Sequence, residues 1–287
     1  MNALHNDATA FTAEMRQQWD AAAPGWDAHT ADLNAWLAVP TAAMLAMAGV
    51  ETGAQVLDVA AGAGDQTFAA AERVGPGGRV TVTDLSPAII ELAKRRVARA
   101  GLANVNFQIA DGEALPFAAG SFDAAICRLG LMFFAEPLRG VREMHRVLRP
   151  GGGLCSMVFA GRDRNPCVAI LMATALEHAR LPPPDADAPG SLLGLGRPGR
   201  LDALYREAGF RDVATTAIDA PFRLPSVDHY LAFVRSSAGP ILKILGRLAA
   251  TAAEAAWADM RERLRKFDSA GGWVGPNELL LTTGRRA

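Results

Sequence analysis

The sequence predicts an α/β fold, a Rossmann-like and mostly parallel sheet with helices on both faces. Apolar strands alternate with helical segments from residue 56 onward, which is typical of a parallel sheet. The first strand passes into a glycine turn that opens a helix, and the second strand ends in an acid. These three observations place a ligand at the carboxyl edge of the sheet, where α/β proteins bind nucleotide-like molecules.

The first strand and its turn have the sequence VLDVAAGAGD at residues 56–65. Gly62 and Gly64 allow a ligand to approach the backbone closely. Thr67 stands where the dinucleotide fingerprint has its third glycine, and Asp65 lies where the helix would meet a pyrophosphate. Because a carboxylate repels phosphate, the turn suits a ligand with cationic groups, such as a sulfonium with an α-amino group.

The second strand covers residues 79–84, and its last residue, Asp84, follows Gly62 by 22 positions. This spacing places the carboxylate at the ribose hydroxyls of an adenosine. The next helix has Ser86 at its N-cap, Pro87 in its first turn and Gly101 as its stop. Its limits are therefore well defined.

A third strand at residues 105–110 alternates apolar and polar positions and brings Asp111 and Gly112 to the same sheet edge. A fourth strand at residues 122–127 leads through Arg128 to a helix that is expected to continue through Leu148 and stop at residues 149–152. Three more strands are predicted at residues 154–159, near 212–219 and near 278–283. The sheet is therefore expected to have seven strands.

Four motifs follow one another along the chain: LDVAAGAG at 57–64, TDLSP at 83–87, DGEALPF at 111–117 and RVLRPGG at 146–152. In this order they resemble the motifs of class I S-adenosylmethionine-dependent methyltransferases, especially the quinone-biosynthesis C-methyltransferase-like branch (methyltransferase type 11/25). The resemblance covers residues 50–160 well and implies a sheet whose last strand is antiparallel. Ala60 departs from the pattern, since many relatives carry glycine there. Alanine fits that position unless it requires a positive φ.

The placement of the predicted strands also indicates a domain organisation, because three segments are not needed for the core. Residues 1–50 are expected to form an N-terminal helical lid, and residues 51–287 a class I methyltransferase domain. Two further lid insertions are expected near 161–200, with a Pro/Gly-rich stretch, and near 225–272, mostly helical. Insertions at the carboxyl ends of the strands are where α/β enzymes place their specificity.

The cofactor that the resemblance implies is S-adenosylmethionine. Gly62 and Gly64 are expected to lie against its methionyl part, and Asp84 is expected to accept hydrogen bonds from the ribose hydroxyls. Asp58 is expected either to hold the glycine loop or to meet the α-amino group through water. The alternative for each acid is a helix cap or turn former, because aspartate is common at such places.

The remaining cofactor contacts are expected from five residues. Leu85 would cover one adenine face, Asp111 would accept a hydrogen bond from the adenine amine, and Gly112 would let the backbone approach the adenine ring. Arg128 either pairs with a lid or core acid or contacts an anionic acceptor or the methionyl carboxylate. Trp26, in the lid, could cover the sulfonium through a cation–π contact.

The predicted function is methyl transfer by in-line displacement to a small, neutral or aromatic metabolite. Such a reaction needs no metal and no covalent nucleophile, and the sequence shows no metal-spaced His/Cys set. If the acceptor must lose a proton, His229 is the candidate general base, because it lies in the 225–272 insertion expected to roof the acceptor. The alternative is a capping or packing histidine, since Ser226 begins the same helix.

Two other functions stay open. An NAD-type Rossmann oxidoreductase would share the glycine turn, but the missing third glycine and Asp65 oppose it. The Tyr-x-x-x-Lys pattern is absent too, because Tyr205 and Tyr230 are followed four residues later by glycine and valine. The other function is a non-catalytic S-adenosylmethionine-binding protein, since fold does not fix function.

Composition agrees with a globular enzyme of 287 residues and says little more. The partner that the resemblance implies is a small-molecule acceptor. The net charge of −1 offers no basic field for nucleic acid, and the arginines at 95, 96 and 99 are expected on a solvated helix face. No targeting segment or membrane span is recognised, so a cytoplasmic location is expected. The three cysteines are expected to be buried thiols. The oligomeric state is open, a homodimer being one possibility.

Overall fold

The computed structural model describes residues 2–185 and 188–287, and the side chains from residue 8 onward within these ranges. Residue 1 of the predicted lid and residues 186–187 of the predicted 161–200 insertion lie outside the described residues. The helices are α1 Asn2–Ala28, α2 Thr30–Ala48, α3 Asp65–Val74, α4 Pro87–Arg99, α5 Pro137–Val147, α6 Pro166–Ala179, α7 Arg200–Glu207, α8 Val227–Ser237, α9 Gly239–Leu245 and α10 Ala250–Leu264. The strands are β1 Gln55–Val59, β2 Arg79–Asp84, β3 Val105–Ile109, β4 Phe122–Arg128, β5 Leu148–Phe159, β6 Phe210–Asp219, β7 Phe222–Leu224, β8 Asp268–Ser269, β9 Gly272–Gly275 and β10 Glu278–Arg286.

The main sheet has seven strands, which is the predicted number, in the order β3-β2-β1-β4-β5-β10-β6. Its strands are parallel except β10, which runs antiparallel to both neighbours. Successive residues of β1 belong to different core clusters, Val56 to one and Leu57 to the other, because side chains alternate across a strand. Helices therefore cover both faces, and the predicted Rossmann-like fold is confirmed.

The strand order reverses between β1 and β4. From β1 the chain proceeds outward to β2 and β3, and it then returns to place β4 on the other side of β1. Loops after these two strands diverge at their carboxyl ends and leave a crevice there, which is where open α/β sheets bind ligands. The first turn and the residues after β4 both lie at this point.

Local signals located the helix after β2 accurately. The Ser86 side chain accepts a hydrogen bond from the Ile89 N–H at 3.1 Å, and Pro87 begins the helix. The helix before β5 is shorter than expected: α5 ends at Val147, and Leu148 already belongs to β5. Leu148 has φ −73° and ψ 150°, an extended conformation, so the chain leaves the helix two residues before Pro150.

A second sheet of three short strands, in the order β7-β9-β8, was not predicted. Its strands have three, four and two residues, which is too short for a clear periodic pattern. Phe222 is aligned with Gly275, more than fifty residues further along the chain. The small sheet therefore closes the base of the helical 225–272 insertion.

The second half of the predicted N-terminal lid is a core helix. In α2, the side chains of Leu33, Leu37 and Met44 are buried within the core cluster beneath the sheet. By length and composition α2 could cross a membrane, which corrects the expectation that no segment of the chain is long and apolar enough to do so. Burial of these side chains in the core accounts for the apolar composition of α2, since core helices of globular proteins can be as apolar as membrane spans.

The 161–200 insertion differs from expectation in a similar way. It contains α6, whose Cys167, Leu171 and Ala175 are buried in the same core cluster. The insertion after residue 225 is helical as predicted. Its Tyr230 stacks on Trp273, with ring centroids 4.5 Å apart, and both side chains are buried.

Candidate active site

The floor of the site is the turn between β1 and α3. Gly62 and Gly64 have φ values of 60° and 83°, a region that favours glycine. Apart from Gly62 and its two chain neighbours, no atom of the described residues lies within 4 Å of the position that a Cβ on Gly62 would take, so this backbone faces open space. The Gly62 N–H donates to Asp84 Oδ2 at 3.0 Å, which fixes the turn against the end of β2.

Asp84 is buried at the end of β2 and lines the cavity. Its second oxygen, Oδ1, accepts the Ser86 N–H at 2.9 Å. Burial raises the pKa of Asp84 to about 6, against backbone hydrogen bonds that lower it. A carboxylate has about four acceptor positions, so its backbone partners leave acceptor capacity for a hydroxyl group of a ligand.

Asp58 holds the glycine loop. It is buried, accepts the Thr67 hydroxyl at 2.7 Å and the Gln66 amide Nε2 at 2.9 Å, and lies behind the residues that line the cavity. Burial raises the pKa of Asp58 to about 6. These contacts match the first of the two roles expected for it.

Gln66 was missed by the sequence reasoning. Its Nε2 donates to Asp58 and to the Ala61 carbonyl, while its Oε1 is buried and has no hydrogen-bond partner among the described residues. Gln66 is one of the residues that line the cavity, which makes its Oε1 a candidate acceptor for a donor group on a ligand. Because the two N–H groups of Nε2 already donate to Asp58 and Ala61, the oxygen Oε1 is the atom that faces away from these partners.

Asp65 has protein partners for its charge. Its carboxylate pairs with Arg96 at 2.5 Å and with Arg128 at 3.8 Å, and all three side chains are nearly buried. Arg96 was expected on a solvated helix face, and that expectation is wrong. Arg128 also donates to the Thr41 hydroxyl at 3.0 Å, and it forms the core ion pair that was one of its two expected roles. Asp65 therefore serves as a counter-ion.

The other end of the cavity is lined by Leu85, Asp111 and Gly112. Asp111 Oδ1 accepts the Glu113 N–H at 2.9 Å, as in an aspartate turn. A Cβ on Gly112 would lie 2.3 Å from the Phe134 ring. Glycine is therefore required here by the packing of Phe134, a reason that the sequence reasoning did not anticipate.

Next to the floor, the cavity widens into an apolar chamber. Its aromatic lining comes from α1, α2, the segment after β4, β5, β7 and α8: Trp19, Trp26, Trp36, Phe133, Phe134, Phe159, Phe222, Tyr230 and Phe233. Trp19 meets Phe133 edge to face, with centroids 4.9 Å apart, and Trp26 meets Phe233 at 6.0 Å. The N-terminal helix and the 225–272 insertion thus close the chamber together.

The N-terminal helix is anchored beside Asp84. The Ser86 hydroxyl donates a short hydrogen bond to Asp20 Oδ1, and the Ala88 N–H donates to the same oxygen at 3.3 Å. Asp20 thus caps α4 from another element. No local pattern could have shown this contact, because 66 residues separate Asp20 from Ser86.

His229 has a different setting from the predicted one. Its Nε2 lies 2.8 Å from Asp32 Oδ2, and the side chain is not among those that line the cavity. Its own N–H donates to the Ser226 hydroxyl at 3.2 Å, so Ser226 caps α8 as expected. The structure therefore shows His229 paired with Asp32, and a role as general base stays a prediction.

Ala60 has a φ of 52°, in the region that favours glycine. Alanine in place of the glycine that many relatives carry therefore strains the backbone here. We expect Ala60→Gly to raise the free energy of unfolding by about 0.5–1 kcal/mol, because relief of strain exceeds the entropy cost of glycine. Urea denaturation measures the change. Ala61→Gly is the matched control and should lower stability, because Ala61 is buried and has no positive φ. Equal effects of the two changes would contradict the strain argument.

Comparison with known proteins shows that part of the chain is similar to methyltransferases, in agreement with the resemblance of its motifs. The family model that matches, over residues 37–170, is that of the ubiE/COQ5 methyltransferase family. The ubiquinone/menaquinone biosynthesis C-methyltransferase UbiE of Hahella chejuensis is 38% identical over 122 residues, which is 42% of this chain and 49% of that protein. The chain thus spans about half the length of the curated relatives it matches.

Two solved structures show the same fold over most of the chain. The YcgJ protein of Bacillus subtilis has a TM-score of 0.58 at 19% identity, covering 86% of this chain and 97% of that one. The [4+2]-cyclase SpnF has a TM-score of 0.56 at 19% identity, covering 96% of both chains. At such identities the likeness concerns the fold alone.

Proposed function

We propose that the chain transfers the methyl group of S-adenosylmethionine to a small, apolar acceptor bound in the aromatic chamber. One observation carries the proposal: a single cavity joins a floor of acids and glycines to a chamber with aromatic walls. The floor suits a polar cofactor, and the chamber suits an apolar molecule. The match to the ubiE/COQ5 family supports the reaction class.

The residues of the floor fit the cofactor at both ends. Asp84 would accept hydrogen bonds from the ribose hydroxyls, with Leu85 and Asp111 toward the adenine. The unpartnered Gln66 Oε1 would accept from the α-amino group, and Arg128 would face the methionyl carboxylate. When bound, the cofactor supplies an electrophilic methyl group on a sulfonium.

The chain contributes positioning and exclusion of water. Trp19 and Trp26 from α1 and Phe233 from α8 cover the chamber, so an acceptor would lie in a dry environment against the floor. Because His229 is paired with Asp32 and is not among the residues that line the cavity, the proposal relies on proximity to an acceptor that is already nucleophilic. Carbon of an electron-rich ring and a neutral amine are acceptors of this kind.

A labelled-methyl screen tests the proposal. The purified chain, with methyl-labelled S-adenosylmethionine and a panel of small apolar metabolites, should give a labelled product and an equal amount of S-adenosylhomocysteine. Mass spectrometry of co-purified ligands narrows the panel. Tight cofactor binding with no transfer would favour the non-catalytic alternative, and binding of a nicotinamide dinucleotide instead would favour the oxidoreductase.

The N-terminal helix is proposed to act as a lid over the cofactor. We expect S-adenosylhomocysteine to protect the exposed Arg16 in α1 from trypsin, since Asp20 and Trp19 on the same helix lie against the site. The exposed Arg265, after α10, provides an internal control whose cleavage should not change. Equal protection at both positions would show general stabilisation instead of closure of the lid.

Cofactor-product binding is expected to weaken as the pH falls below about 6. Burial raises the pKa of Asp84 from 3.8 to about 6, so its carboxylate is progressively lost below that value. The ribose hydroxyls donate to the ionised form, and binding therefore favours the higher pH. Calorimetric titrations with S-adenosylhomocysteine one unit below and one unit above this pKa measure the difference. An equal affinity at the two pH values would contradict the proposed contact between Asp84 and the ribose.

A further inference from the structure

Two histidines and one aspartate meet where the corner between α1 and α2 contacts the first turn of α8. His229 Nε2 lies 2.8 Å from Asp32 Oδ2, and His29 Nδ1 lies 3.4 Å from the same oxygen. One nitrogen or oxygen from each of the three lies within 4.8 Å of the others. The cluster is separate from the lining of the chamber.

We propose that His29, Asp32 and His229 bind a divalent cation of borderline softness, with Zn²⁺ as the reference ion. Imidazole nitrogens combined with a carboxylate are typical ligands for Zn²⁺, Co²⁺ and Ni²⁺, whereas Mg²⁺ and Ca²⁺ prefer oxygen. In a tetrahedral zinc site with metal–ligand bonds of about 2.0–2.2 Å, the ligand atoms lie about 3.3 Å apart. Two of the three separations, 2.8 and 3.4 Å to Asp32 Oδ2, lie close to this value, and the third, between the two imidazole nitrogens, is within 4.8 Å.

Charge and access fit the same ion. With neutral imidazoles the three side chains carry one negative charge, which a dication would more than compensate. The side chains of His29, Asp32 and His229 are 16%, 29% and 37% exposed, so a cation can enter and water can complete its coordination. The three cysteines are buried, and burial raises the pKa of each thiol, so thiolates do not compete for the ion.

The fold holds the ligands before any ion binds. His29 is the N-cap position of α2, and Asp32 lies in the first turn of the same helix. His229 lies in the first turn of α8, which the Ser226 cap fixes, and the His29 ring packs on Phe233 with centroids 5.4 Å apart. A bound ion would therefore clip the N-terminal helices to the 225–272 insertion across about two hundred residues of sequence. Such a cross-link is expected to stabilise the folded chain.

Metal titration of the full chain, stripped with a chelator, tests the proposal. Calorimetry should show one equivalent of Zn²⁺ bound, and Co²⁺ should give the strong visible absorption of a four-coordinate site. The Tm should rise when Zn²⁺ is added. His29→Gln and His229→Gln should each weaken binding by at least about tenfold, since each removes a ligand.

His178 offers a matched control. Its Nε2 lies 3.1 Å from Asp259 Oδ2, with side-chain exposures of 26% and 32%, but within the described part of the chain no second histidine joins this pair. His178→Gln should leave zinc affinity and the zinc-dependent rise in Tm unchanged. Absence of stoichiometric binding to the unaltered chain, or equal binding by both ligand variants and the unaltered chain, would overturn the proposal. The cobalt spectrum of the unaltered chain gives the answer even if a variant fails to fold, and none of these measurements depends on methyl transfer.

Discussion

Asp84→Asn is expected to weaken binding of S-adenosylhomocysteine by about 1–3 kcal/mol, which corresponds to roughly 5- to 150-fold. The carboxylate accepts two backbone N–H groups, from Gly62 and Ser86, and would accept the ribose hydroxyls with its remaining positions. Asparagine replaces one oxygen with an NH₂ group, which would face one of these donors. The substitution would therefore weaken both the hydrogen bonds that hold the turn and those to the ribose. Calorimetric titration of the purified variant measures the loss.

Asp123 supplies the matched control for this variant. It also lies on a strand of the main sheet and accepts a backbone N–H, that of Gln55 at 2.7 Å, but it lies near the start of β4, away from the cavity lining. Asp123→Asn should therefore bind S-adenosylhomocysteine with the affinity of the unaltered chain. Similar losses in both variants would indicate a general effect on the sheet and would remove Asp84 from the cofactor site.

The parts of the fold set by neighbouring residues were predictable from the sequence. The strand limits Arg79–Asp84 and the cap by Ser86 follow from apolar alternation and from capping chemistry, which act within a few residues. The glycine turn and Asp84 were located for the same reason. These elements form the floor of the site, and the prediction was best there.

Contacts between distant segments account for what the sequence reasoning missed. Arg96 looks like a solvated residue on its own helix, and only the fold brings Asp65 to it from 31 residues away. His229 was assigned to the chamber from its place in an insertion, yet its partner Asp32 lies 197 residues earlier. Gly112 was identified correctly as a special position, but its reason is the ring of Phe134. Side-chain partners of this kind depend on tertiary packing.

Asp65→Asn is expected to destabilise the chain by about 3–5 kcal/mol, because it removes one partner of a buried ion pair. Arg128 and Arg96 would then remain nearly buried, with Arg128 left to the more distant Asp58. Burial already lowers the pKa of Arg128 while Asp65 and Asp58 raise it, so loss of Asp65 increases the cost of its charge. Urea denaturation measures the difference in unfolding free energy.

A second substitution separates this explanation from a simple packing defect. If the cost arises from an uncompensated cation, Arg128→Met in the Asp65→Asn background should restore part of the lost stability, since it removes the buried charge with similar volume. Glu91→Gln is the comparison, because Glu91 and Lys94 form an exposed pair whose loss should change stability by less than about 0.5 kcal/mol. A double variant less stable than Asp65→Asn alone would contradict the counter-ion role. Asp65 would then have to be considered again as the direct partner of a cationic ligand, the role that its position in the sequence first suggested.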